Sequence, residues 1–324
     1  MSELRDILET RQVAIYFAAV VLAATAAGIV SGTTSLEVAI NPALAFMLFV
    51  TFLQVPLADL GRAFLQIRFL GALLVTNFVA VPILVFGLMH LLPADPMIRI
   101  GVLLVLLTPC IDYVVTFAHL GRADAKLLLA STPVLLIAQM VLLPFYLKVF
   151  LGDEAGNLVQ IEPFIHAFVW LIVFPLLGAA LIQFSAARLG FMSRISSALG
   201  LLPVPATAAV LFIVVAAVVP QLGLALDGAL QTLPVYIAFA VIAPFIGWMV
   251  ARSFRIAVPG SRAIAFSAST RNSLVVLPLA FAVPNAMPLL PAIIVTQTLV
   301  ELVSEMIYIR VISRFGSQKT EIQA

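Results

Sequence analysis

Two short polar runs interrupt an otherwise apolar sequence, and both contain side chains able to bind a solute or hold charge. The first is Thr108-Pro109-Cys110-Ile111-Asp112, with Thr116 one turn beyond. The second is Ser267-Ala268-Ser269-Thr270-Arg271-Asn272-Ser273. A third set, Glu301 and Glu305, is spaced four residues apart in the last apolar stretch, so both lie on one helix face. An ionisable group at bilayer depth costs about 3 kcal/mol on insertion scales, which makes Asp112, Arg271, Glu301 and Glu305 functional candidates. Arg271 cannot shed its charge and must find a carboxylate, carbonyls or water. Asp112, in the corresponding break, is the natural partner, either in a structural clamp or in a pair that substrate or a proton can open. Glu301 is the candidate for carrying a proton. Glu305, one turn nearer the chain end, is expected to face Arg310 or to snorkel outward. Cys110, the single cysteine, reads either as a small hydrophobe or as a soft ligand. Asn77 and Gln139 either line a cavity or bond between helices. His119 is expected at the surface, and His90 and His166 at membrane boundaries. No histidine stands beside Cys110 as a base would, so an enzyme is not expected.

The elements that must position these residues follow from composition. Of 324 residues 63% are hydrophobic and 10% charged, against about 25% charged in a soluble domain. This excludes an ordinary globular enzyme, a nucleic-acid binder and a disordered chain. One cysteine excludes an intrachain disulfide and a multi-cysteine metal centre, and no cofactor is expected. Apolar stretches of spanning length run at roughly 13–30, 36–55, 69–91, 98–118, 126–148, 163–184, 203–222, 231–251, 262–283 and 289–312. Between them the segment 185–202 reads as an amphipathic surface segment. Glu3, Asp6 and Glu9 outnumber Arg5 and Arg11 ahead of the first stretch, so it reads as a span rather than a cleaved signal.

Basic residues orient the spans. Alternate connections hold Arg5, Arg11, Arg62, Arg68, Arg122, Lys126, Arg188, Arg194, Arg252, Arg255, Arg262, Arg310, Arg314 and Lys319, while the others hold Arg99 and Lys148. The basic side is the cytoplasmic one, so both termini are expected there, in the inner membrane. The reading is an all-α polytopic protein, one integral-membrane domain over 1–324, with two inverted five-helix repeats at about 13–150 and 160–312. Its fourth and ninth helices are discontinuous at matching places, which in inverted-repeat carriers marks the binding site.

The run Gly101–Asp124 (GVLLVLLTPCIDYVVTFAHLGRAD) resembles the fourth span of the bile acid:sodium symporter superfamily. A cysteine directly after the proline is similar to the superfamily's arsenite-efflux permeases. Phe52–Leu57, Thr76–Pro82 and Thr298–Glu301 support the resemblance. It implies a panel domain and a core domain, a fourth and ninth helix crossing at the substrate site, alternating access, and Cys110 as the contact for soft trivalent arsenic. Two departures bear on coupling. Val114 and Val115 stand where sodium-coupled members carry Ser-Asn, and Ser267 and Arg271 stand where they carry an acid and a glutamine. Sodium coupling is therefore not expected. Ser273 stands where arsenite permeases carry a glutamate, which leaves Glu301 or Asp112 to couple protons. The expectation is arsenite or antimonite efflux by proton exchange. Thr116, Ser269 and Asn272 would add hydrogen bonds, and Asp112 and Arg271 would form the central pair. The alternative is an organic-anion carrier without an intact sodium site. Small solutes, protons and the lipid bilayer are the expected partners; oligomeric state is left open.

Overall fold

The computed structural model describes residues 2–54, 66–111, 113–156, 165–166, 169–186, 188–281, 283–284 and 287–316. The chain is built from helices because backbone N–H and C=O groups find no water in lipid, and a helix satisfies them internally. In chain order these are α1 (Ser2–Ile29), α2 (Glu37–Phe52), α3 (Ile67–Met89), α4 (Pro96–Leu106), α5 (Val114–Leu120) and α6 (Ala125–Gly152), followed by α7 (Phe174–Ala186), α8 (Gly190–Leu199), α9 (Pro203–Val218) and α10 (Leu222–Ser253). The last three are α11 (Val258–Ser269), α12 (Ser273–Phe281) and α13 (Leu289–Val311). Among the described residues seven helices are long and apolar enough to cross a membrane: α1, α2, α3, α6, α9, α10 and α13. Helices α4 and α7 are apolar but shorter.

The expected fourth span is the pair α4 and α5, and the expected ninth is the pair α11 and α12; each pair is split where the polar run falls. The segment expected to lie on the surface forms α8, none of whose residues is buried. Two groups of helices pack mainly within themselves and touch where α12 meets α2 and α9 meets α13. Helix α1 lies on α9, α9 on α2, and α2 on α7. In the other group α10 packs on α3, α11 and α13, while α4 and α12 pack on α13 and α6 on α4.

Prolines inside the spans leave carbonyls that a helix cannot use, because proline has no N–H to offer the residue four back. Pro82 frees the Phe78 carbonyl, which accepts the Tyr146 hydroxyl from α6. Pro244 frees the Ala240 carbonyl, which accepts the Tyr308 hydroxyl at 2.6 Å. Each vacancy thus becomes a bond between helices. Near Pro82 the backbone of α3 widens into a π-turn over Thr76–Ala80, a distortion common at functional sites, and this turn carries Asn77. Helices α10 and α11 approach most closely at Gly247, where a Cβ would stand 2.9 Å from the Ile264 carbonyl and 2.7 Å from the Ala268 Cβ.

Candidate functional site

Helix α4 ends at Leu106 and α11 at Ser269, and the two unwound stretches that follow meet. Pro109 and Arg271 face each other in a single antiparallel bridge. The Cys110 amide donates to the Thr270 carbonyl at 3.0 Å, and the Asn272 amide donates to the Thr108 carbonyl at 2.9 Å. Unwinding frees these groups deep in the protein, and each break satisfies the other. The crossing is dry: Cys110, Arg271 and Ser273 have no exposed surface, and Ser269 and Asn272 are buried.

Arg271 meets its charge requirement mainly with carbonyls. Nη2 donates to Asn77 Oδ1 at 2.9 Å, to the Ala268 carbonyl at 2.7 Å and to the Ser267 carbonyl, and Nη1 reaches the Leu106 carbonyl at 3.4 Å. The guanidinium carbon also lies 5.4 Å from the centre of the Phe239 ring, within cation–π range. Its Nε has no hydrogen-bond partner, and neither does Nδ2 of Asn272. Asp112, the expected partner, lies outside the described residues. Asn77 is clamped in turn, donating to Ser267 Oγ at 3.0 Å.

Glu301 supports the second break from α13. Its Oε2 accepts the Arg271 main-chain N–H at 2.7 Å and Gln297 Nε2 at 2.6 Å, and its Oε1 accepts the Tyr113 hydroxyl. Glu305 corrects an expectation. It makes no bond to Arg310; it is fully buried, Oε1 accepts the Thr270 hydroxyl, and Oε2 has no partner. Five residues along a helix is about 140° around it, so Arg310 points elsewhere. Thr298 ties α13 to Ser273 through a 2.9 Å hydroxyl bond. The Ser269 hydroxyl is spent on its own helix, donating to the Ala265 carbonyl at 2.9 Å.

A cleft of about 350 Å3 opens beside the first break. Its polar lining is Glu9 of α1, Thr51 and Gln54 at the end of α2, Thr116 and His119 of α5, and Lys126 of α6. It separates the two helix groups. A narrower space shares Glu9, Thr51, Gln54 and Thr116 with it and reaches Tyr113. Of the expected site residues, Thr116 lines the cleft, while Cys110, Ser269, Arg271 and Asn272 sit at the crossing behind it. His119 is exposed, as expected, but faces this cleft. Sequence reasoning missed Tyr113, Gln297 and Glu9 altogether. Gln297 stands one helical turn from Glu301, a spacing that signals side-chain contact; Tyr113 follows the first break directly. Nothing around Glu9 distinguishes it from the other charges of the N-terminal stretch.

Broken helices that cross inside a set of apolar helices, next to a polar cleft, define a membrane carrier of small solutes. Residues 41–227 match the Sodium Bile acid symporter family, and the chain belongs to that family, whose members are transporters rather than enzymes. It is a multi-pass membrane protein. No curated protein matches the chain.

Proposed function

We propose that the protein is a secondary active transporter that expels trivalent arsenic, as arsenite or antimonite, in exchange for protons by alternating access. The observation that carries this reading is the composition of the crossing: one thiol, Cys110, bonded through its amide to the break that holds two unpartnered buried donors, Arg271 Nε and Asn272 Nδ2. Neutral arsenous acid offers a soft, thiophilic centre surrounded by oxygens, and that set of groups complements it. A single thiolate holds the metalloid weakly enough to release it. Thr116 receives the solute from the cleft, Asp112 is the charge partner of Arg271, Ser269 supports the break, and Glu301 carries the coupling proton. A cleft of about 350 Å3 suits a small solute.

Proton rather than sodium coupling is supported by the surroundings of Arg271. The oxygens of Leu106, Ser267, Ala268 and Asn77 that point at its guanidinium are the hard ligands a sodium ion would seek, and a fixed cation already occupies them. In this reading the ten spans form two inverted five-helix repeats in the inner membrane, within one domain. Both termini are cytoplasmic, as is the mouth of the cleft beside Lys126. The two helix groups are the bodies that rock.

A second reading, export of a small carboxylate, is favoured by Lys126 in the cleft and by the unpartnered Arg271 Nε. Everted vesicles energised to be acid inside separate the two. Wild-type protein should accumulate arsenite, Cys110→Ser should not, and a carboxylate panel should neither compete nor raise the melting temperature. Full arsenite accumulation by Cys110→Ser removes the thiol from the mechanism, and stabilisation by a carboxylate transfers the assignment to the second reading.

A further inference from the structure

We propose that the Tyr113 hydroxyl conducts protons between the cleft and Glu301, so that among the described residues this tyrosine is the route by which the coupling carboxyl meets water from that side. The proposal rests on Glu301 being the coupling group. Three observations place Tyr113 in the role. Its hydroxyl donates to Glu301 Oε1, with the Arg271 carbonyl as a second acceptor at 3.3 Å, while Tyr113 also lines the narrow space that shares Thr116, Gln54 and Glu9 with the open cleft. The other carboxyl oxygen is already taken by the Arg271 main-chain N–H and Gln297 Nε2. Both are amide donors, which keep their protons, so Oε1 is the oxygen at which a proton can arrive. The Tyr113 and Phe117 rings pack in a T shape with centres 6.0 Å apart, which restrains the phenol.

The transfer balances without an added reagent. A hydronium ion in the narrow space gives a proton to the phenol oxygen as the phenol's own proton passes to Glu301 Oε1. One O–H bond forms and one breaks at the phenol, hydronium becomes water, and the carboxylate becomes a carboxylic acid. The hydroxyl then points toward the cleft and must rotate back before the next transfer. Among the described residues, the charged and titratable groups facing Glu301 are Arg271 from the second break, Glu305 and Tyr308 on its own helix and Tyr113 itself, with Glu9, His119 and Lys126 at the cleft end of the path. The first two contact no water of the cleft, being fully buried.

The test is a pH jump followed by infrared spectroscopy on the purified full-length protein in nanodiscs. The carboxylic C=O band that appears on acidification and is missing in Glu301→Gln belongs to Glu301. In Tyr113→Phe the same band should reach the same final amplitude at least ~10-fold more slowly, a loss at the lower end of what a positioned acid–base group supplies. Tyr113→His, which can also relay a proton, should recover most of the rate. Matching melting temperatures show that each variant is folded. Should Tyr113→Phe not fold, the Tyr113→His rate and a solvent deuterium effect on wild type decide the matter. An unslowed band in Tyr113→Phe, or in its absence a wild-type rate insensitive to deuterium, overturns the relay while leaving Glu301 as the coupling group. A wild type with no band assignable to Glu301 removes both the coupling assignment and the relay.

Discussion

The two helix breaks do different work although they hydrogen-bond to each other. The first, which follows α4, carries Pro109 and borders the cleft through Ile111, with Thr116 and His119 of α5 beside it. The second, Thr270 to Asn272, contains no proline and is wholly buried. It is held open by side chains: the Arg271 guanidinium from within, Asn77 from α3, and Glu301 and Glu305 from α13. One break is shaped by a missing N–H and faces the cleft. The other is a set of mutually dependent polar groups, in which removal of one strands the rest. A carrier needs both properties, and here they are divided between two segments that touch.

That contrast can be broken or sharpened by substitution. The largest effect is expected at Arg271→Ala. Removing one member of a buried charged network costs about 3–5 kcal/mol, so the protein should melt far below wild type in detergent, and Arg271→Lys should recover little because an ammonium cannot span the same acceptors. Gly247→Ala should follow at about 1–3 kcal/mol, the cost of overpacking, since its Cβ would press on the Ile264 carbonyl behind the second break. Thr270→Val removes the one donor to Glu305 and should cost about 1–3 kcal/mol, the price of an unsatisfied buried group. Cys110→Ala, in the first break, should cost least in melting temperature, about 1 kcal/mol, yet abolish arsenite accumulation in vesicles. If Cys110→Ala destabilised as much as Arg271→Ala, the division of labour would be wrong. Glu301→Gln sharpens the comparison from the side of coupling: solute exchange at equal pH should persist, while a proton gradient should no longer drive accumulation.

Much of this was legible in the sequence because polar residues inside apolar stretches are conspicuous. Thr108–Asp112 and Ser267–Ser273 mark the breaks, and Arg188 and Arg194 among apolar neighbours mark α8. The partners of those residues were harder to read. Pairing of Pro109 with Arg271 joins positions far apart in the chain and runs through main-chain atoms, which carry no signature in residue type. The carbonyls around Arg271 were invisible for the same reason. Glu305 was misread because proximity along the chain suggested Arg310, whereas the helical turn directs it toward Thr270. Among the described residues seven helices are long and apolar enough to cross a membrane, and α4 and α11 fall short of that length because each ends at a break.

The bridge between the breaks has a further consequence. The amide hydrogens of Cys110 and Asn272 are each bonded to the opposite segment. They exchange with solvent deuterium only when the two segments separate and water reaches them. If the carrier works by moving a rigid block, these two hydrogens should outlast many turnovers. If solute passage requires the segments to part, their exchange should quicken in step with transport. Two labelled amides thus act as a turnover counter built into the fold, and their lifetime distinguishes a carrier that rocks from one that opens at its centre.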